Sequence, residues 1–285
     1  MELGFFNEIL RGVWLLEPRV QEQYAKLALA HLESVSANRT GATVDVNMST
    51  IVAVSQSGRQ FSMSDDIPSE PYISVIPLQG VVKKNSYCGD MGTMAMQAMM
   101  KQAENDPNCL GHILSIDSPG GSASNTQTFA NFIKNDCQKP VVAYISGMCA
   151  SAAYYIACAA DEIYCSQSDD SVGSIGVYCT LTDYRKAYEQ EGITQHQVYA
   201  TASTEKNQLF QKALDGDYTE LQKEYLDPCA DAFIGTVKAF RPNLTDNNAY
   251  KGKLYAAKNA PKGMIDGTKT WGQCLTRVSQ LATNK

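Results

Sequence analysis

Three apolar runs of strand length stand out along the chain: YISVIPLQGVV, which leaves its apolar stretch near Gly80, GHILSI and PVVAYIS. Each is near-continuous in apolar residues, as expected of strands covered on both faces of a sheet. Helical patterns separate and follow them. MGTMAMQAMMKQAEN reads as a helix whose methionines (Met91, Met94, Met96, Met99, Met100) are core filler. DSPGGSASNTQTFANFIKND is a Gly-Gly turn opening a helix, and GMCASAAYYIACAADEI is a small-residue turn opening another. EIYCS and SVGSIGVYCT then read as short strands, and LTDYRKAYEQEG as a helix ending at Gly192. TQHQVYATAS is extended, residues 207–240 are a long helical stretch, KLYAAKNAPKGMIDG is a strand and turn, and WGQCLTRVSQLA is a closing helix. Strands alternating with helices predict an α/β domain around a mainly parallel sheet. Upstream, residues 1–35 read as helical with a break near Glu17-Pro18, carrying Phe5, Phe6, Ile9, Leu10 and Val13 on an apolar face that docks on the body or on a neighbouring subunit. Residues 36–70 are polar, with TIVAVS as a candidate strand. The expected division is a helical extension with polar linker over 1–65 and a main domain over 66–285.

Composition narrows the function classes. The chain has 285 residues, enough for one large domain with an extension, and a formal charge of −6. An acidic chain without a basic run argues against a nucleic-acid binder. Nine cysteines are scattered without a CxxC motif, as expected of free thiols in a reducing compartment. The three histidines (His31, His112, His196) are far apart, so no metal site and no cofactor are expected. No run of 18 apolar residues exists, so no membrane anchor is expected, and the N-terminus lacks the pattern of a signal peptide.

Three stretches carry candidate chemistry. Asp117-Ser118-Pro119-Gly120-Gly121 joins a buried strand to a helix, and a glycine pair there lets backbone N–H groups face a cleft as oxyanion donors. No Gly-Lys-Ser/Thr follows, so it is not a phosphate-binding loop. Ser151 stands alone among small residues where a strand becomes a helix, a position that suits either a helix cap or a nucleophile. A nucleophilic serine needs a base. His112 lies inside a predicted strand as a core residue, His31 is in the N-terminal extension, and His196 has no evident partner, so the inventory disfavours a Ser-His-Asp triad. A neutral lysine is the alternative. An ordinary lysine titrates near 10.4, so half-neutrality at pH 7 needs a drop of about 3.4 units, within the ~3–5 units that burial supplies. Lys206 and Lys212 are the candidates downstream. Finally, Gly173-Ser174-Ile175-Gly176-Val177 reads as a strand with close backbone approach, suited to an edge where a peptide adds as a strand.

Taken in order, IDSPGGSA, ISGMCASAAYYIACAADEIYC and SVGSIGV resemble the signal peptide peptidase A family of serine peptidases, in the ClpP/crotonase superfamily. VIPLQGVV resembles that family's first core strand and APKGMIDG its C-terminal segment, so the resemblance spans about residues 70–285. It implies a spiral of βαβ units and a Ser/Lys dyad. Ser151 is then the nucleophile and Lys206, 55 positions on, the base, with Lys212 as the second candidate. Gly120 and Gly121 supply oxyanion donors, and Ala152, Tyr154 and Gly173, Ser174 and Ile175 line the substrate cleft. Where the family has Gly-Gly-Tyr after the serine this chain has Ala152-Ala153-Tyr154. Cys149 replaces a typical alanine, and Ser203 stands where the family tends to have glycine. Ala-Ala after the serine, with Trp14-Leu15-Leu16-Glu17-Pro18 near the start, resembles the phage head-maturation branch.

The expected function is therefore a serine endopeptidase without cofactor, processing capsid or scaffold proteins. It is expected to work as a homo-oligomeric ring in the host cytoplasm or procapsid, Lys206 acting on its own or a neighbour's serine. Two rivals make different demands. A crotonase-type enzyme acting on acyl-CoA thioesters needs carboxylates rather than a serine at a helix start. An assembly subunit with a decayed site fits the departures at Ala152, Ala153 and Ser203.

Overall fold

A computed structural model describes residues 14–16, 51–63, 65–66, 68–86 and 91–284. The three apolar runs form the centre of a nine-stranded sheet: β4 (Tyr72–Gln79), β5 (Cys109–Ser118) and β7 (Val141–Ala150). They run parallel, in the order β7-β5-β4, with Ile76 beside Leu114 and Leu114 beside Ala143. These central residues are fully or almost fully buried, the physical counterpart of an apolar run without alternation. β2 (Ile51–Ser55) and β3 (Gln60–Ser62), from the stretch read as polar linker, extend the sheet antiparallel beyond β4. β8 (Glu162–Cys165) and β9 (Ser171–Gly173) both lie beside β7, parallel to it. β10 (Leu254–Ala256) closes the far edge antiparallel to β9, and β11 (Gly267–Thr268) pairs with β8.

Helices cover both faces. α1 (Thr93–Glu104), α2 (Thr126–Asn135), α3 (Ala152–Ala157) and α6 (Asp227–Phe240) bury their apolar sides in the larger core, with Met96, Met100, Phe129, Tyr154 and Phe233 at its centre. Of the five methionines expected as filler, Met96 and Met100 are buried, Met91 and Met99 pack against the core, and Met94 is exposed. α7 (Trp271–Thr283) covers the other face, where Cys274 and Val278 meet Ile113 and Val142. Thr270 opens α7 with a capping box shared with Gln273. Arg277 donates two hydrogen bonds to Glu162, tying α7 to β8. His112 is a core residue, as expected, paired with Glu104 at 2.9 Å.

Three expectations change. The helix expected over 1–35 is not helical at Trp14–Leu16, which is a strand, β1, antiparallel to β6 (Gly120–Ser122). The other residues of that stretch lie outside the described residues. The long helix over 207–240 is broken once, at residues 215–218, where Gly216 adopts φ +95°: α5 (Gln208–Leu214) ends there, and helix resumes at Thr219–Leu221 and runs on without a gap to α6. A turn of π-helix, Gln222–Leu226, leads into α6. The strand expected over SVGSIGVYCT is confined to β9. Beyond α4 (Arg185–Gln190), residues 191–200 are exposed throughout.

Candidate active site

The site begins with a bend in β7. Its first half pairs with β8 and its second half with β9, and Gly147 lies between the two. Gly147 has φ +114°, and a Cβ there would stand 2.6 Å from Asp117 Oδ1. Two carboxylates fix the bend. Met148 N–H donates to Asp117 Oδ1 at 3.1 Å, and Gly147 N–H donates to Asp170 Oδ1 at 3.0 Å. Asp170 is itself buried and held by the Ser166 hydroxyl and the Gln167 N–H. β7 therefore leaves one neighbour and joins another immediately before Ser151.

Ser151 is the residue at which strand becomes helix. It is 2% exposed, with φ 54° and ψ −116°. That conformation is outside the regions open to ordinary L-residues and costs of order 1–3 kcal/mol. The surroundings hold it there. Ser151 N–H donates to Gly173 O at 2.8 Å, and its carbonyl accepts from Tyr155 N–H at 2.9 Å. The hydroxyl does not cap α3, so the cap role open at the level of sequence is not the one seen. Ala152 follows in the first turn, where backbone N–H groups have no intrahelical acceptor.

The glycine pair lies alongside. Ser118 pairs with Cys149 across β5 and β7, at the ends of the two strands; Gly120 follows Ser118 by two residues, in β6, and Ser151 follows Cys149 by two, at the start of α3. α3 packs against β6. Gly120 has φ +95°, its N–H donates to Ser118 Oγ at 3.2 Å, and Ser118 in turn donates to Gly80 O at 2.6 Å. Val82 N–H donates to Gly120 O and Ser122 N–H donates to Val82 O, both at 2.8 Å. A Cβ on Gly121 would stand 2.0 Å from Val82 O, so no other residue fits without moving backbone. Because backbone groups alternate in direction along a strand, Gly121 presents its own N–H and C=O to the side opposite Val82.

The remaining residues expected at the site take other places. Tyr154 is fully buried and its hydroxyl donates to Met264 O at 2.9 Å, so it is a core residue. Tyr155 stacks on Phe233 with ring centroids 4.5 Å apart. The open edge expected at Gly173–Val177 is closed: Gly173 pairs with Leu254, Ser174 N–H donates to Lys253 O, and Ile175 O accepts from Gly252 N–H. Gly173 instead anchors Ser151. Lys206 is exposed, in the turn before α5. Lys212 is exposed and paired with Glu220, which raises its pKa, the opposite of what a neutral base needs. His196 is exposed. Around the serine, burial pushes the Cys149 thiol well above its ordinary range, and pushes Cys158 and Cys165 up to about 12. These thiols stay protonated and inert. No local pattern marks Gly147, Asp170 or Val82, because each acts through its backbone or through a contact distant in the chain.

The model of peptidase family S49 matches residues 133–285, which include Ser151 and the helix after it. The chain belongs to peptidase family S49. Among relatives, it is 30% identical over 192 residues to "Putative protease MJ0651" of Methanocaldococcus jannaschii, covering 65% of this chain and 60% of that protein. It is 28% identical over 174 residues to the capsid assembly protease C of Escherichia phage lambda, covering 59% of this chain and 39% of that one. The chain thus spans 60% or less of the length of either relative. A solved structure of a mutant of the 1510-N membrane-bound stomatin-specific protease shares 16% identity at a TM-score of 0.42, covering 74% of this chain and 86% of that one. That likeness is too slight to bear on chemistry. Among the described residues no helix is long and apolar enough to cross a membrane.

Proposed function

We propose that this S49 member is a serine endopeptidase in which Ser151 is the nucleophile. The observation that carries the reading is the backbone of Ser151: a buried serine in a strained conformation, opening a helix packed on the strand of a glycine pair in which Gly121 admits no Cβ. Strain of this kind persists where the surroundings over-determine it, and it concentrates at reacting groups. In the proposed reaction Ser151 Oγ attacks the scissile carbonyl carbon while its proton passes to a lysine amine. The Ala152 N–H and the Gly120 N–H, the latter exchanging Ser118 Oγ for the substrate oxygen, receive the developing oxyanion, and Gly121 pairs with the acyl-side backbone of the peptide. The lysine then returns the proton to the departing amine, and water releases the acyl group from Ser151.

Lys206 is the proposed base. An exposed ammonium does not serve, since deprotonation near neutral pH needs burial. Lys206 lies beyond an exposed segment that includes Val198 at 91% exposure. A second copy of the chain packing on that segment would bury the lysine and bring it to a serine, which is the reason for proposing a homo-oligomer. Similarity to a capsid assembly protease supports capsid or scaffold proteins as substrates. The test is mass spectrometry after exposure to a fluorophosphonate. One adduct on Ser151, absent from Ser151→Ala and Lys206→Ala, is the expected result. No label on Ser151, in the wild type or in any variant that keeps both the serine and the lysine, ends the peptidase reading, and labelling that survives Lys206→Ala reassigns the base.

A further inference from the structure

The strand β1 takes a place that the proposed reaction would give to substrate. It pairs antiparallel with β6 in the register Trp14 opposite Ser122, Leu15 opposite Gly121 and Leu16 opposite Gly120. The other side of β6 is engaged by Val82, through Gly120 O and Ser122 N. Gly121 therefore turns its N–H and C=O to β1, and Leu15–Gly121 is the hydrogen-bonded pair of the ladder. Direction matters as much as pairing. Ser118, two residues before Gly120, pairs with Cys149, two residues before Ser151, so the Gly120 end of β6 is the one nearer the end of β7. A chain running from Trp14 to Leu16 thus approaches the nucleophile from its N-terminal side, as the acyl half of a peptide substrate must. Added strands of this kind draw affinity from main-chain hydrogen bonds and specificity from their side chains. The segment is apolar, and it is followed by Glu17 and then Pro18, which lacks an N–H to continue a ladder.

We infer that Trp14–Leu16 is a tethered, substrate-like strand that covers the peptide-binding edge of β6, so that the chain restrains its own site and a substrate must displace the strand. The inference rests on the peptidase reading above, and it names the acceptable substrate as an extended, apolar segment on the acyl side. Because the strand is tethered, it competes at a high effective concentration without needing intrinsic affinity.

Two probes separate the inference from the reading beneath it. A small fluorophosphonate reports the nucleophile, and a peptidyl diphenylphosphonate with apolar residues reports the edge. Trp14 and Ser122 form the non-hydrogen-bonded pair, with Cα atoms about 4.5 Å apart in such ladders, a spacing a disulfide bridges. The double variant W14C/S122C is oxidised, its cross-link mapped by mass spectrometry, and each probe timed before and after reduction. The expected result is a cross-link, with peptidyl labelling at least about tenfold slower when oxidised, and faster than wild type in Leu15→Pro, which removes the central ladder N–H. Failure to cross-link, or equal peptidyl labelling in both redox states while the small probe marks Ser151, overturns the inference and leaves the peptidase reading standing. No adduct from either probe in any variant, including Leu15→Pro, removes both.

Discussion

The conformation of Ser151 makes a stability prediction that is independent of any substrate. Consider Ser151→Ala and Ser151→Gly. Both remove the hydroxyl, so their difference reports the backbone. At φ 54° and ψ −116°, glycine relieves strain of about 1–3 kcal/mol that alanine retains. Two terms oppose that gain. Burial of the methyl group is lost, at about 0.8 kcal/mol, and the glycine gives the unfolded chain more freedom, at about 0.4–1 kcal/mol. The net change from alanine to glycine at 151 is then close to neutral, between about −1 and +2 kcal/mol. Ala153 supplies the reference. It is fully buried in α3 with no positive φ, so Ala153→Gly loses the same methyl plus a helix preference of about 1 kcal/mol, roughly 2 kcal/mol in all. Replacing alanine by glycine should therefore cost about 1–3 kcal/mol less at 151 than at 153. Urea unfolding measures both, provided the slope m is shared so that midpoints report stability. Equal costs at the two positions would refute the assignment of strain to Ser151.

Two further outcomes follow from the packing. Gly121→Ala places a Cβ 2.0 Å from Val82 O, backbone against backbone, so β6 must move; fluorophosphonate labelling of Ser151 should fall at least about tenfold and stability by about 1–3 kcal/mol, whereas an unimpaired variant would show that β6 does not position the site. The two hydrogen bonds from Arg277 hold Glu162 below its ordinary carboxylate range. A carboxylate with a depressed folded pKa stabilises the fold above its unfolded pKa, near 4.3, and loses that contribution as pH falls through the folded value. Glu162→Gln should cost about 1 kcal/mol at pH 7, with a deficit that shrinks below about pH 4; a deficit independent of pH would show that charge plays no part.

Fold class was legible because buried parallel strands announce themselves. YISVIPL, GHILSI and PVVAYIS cannot alternate when both faces are covered, and α2 and α7 carry their apolar stripes in plain sight. Helical periodicity on either side of Gly216 hides the break within 207–240 that this one residue's φ imposes. Apolar residues recurring around Trp14–Leu16 favour a helix on sequence alone; three apolar residues in a row suit either element, and only pairing with Gly121 makes them a strand.

Local pattern is enough to specify the pieces: which runs are buried strands, that a lone serine follows the third of them, and that a glycine pair follows the second. Those are properties of residues a few positions apart. What the pieces do depends on how they pack. Tertiary packing split β7 between β8 and β9 through Gly147 and Asp170, held Ser151 in a conformation it would not otherwise adopt, closed the Gly173 edge with β10, and put Tyr154 in the core. It also placed β1 against Gly121, and left Lys206 in water. Each of these depends on partners up to about a hundred positions away, whose approach is set by packing and by backbone hydrogen bonds across the sheet, and no local pattern encodes such an encounter.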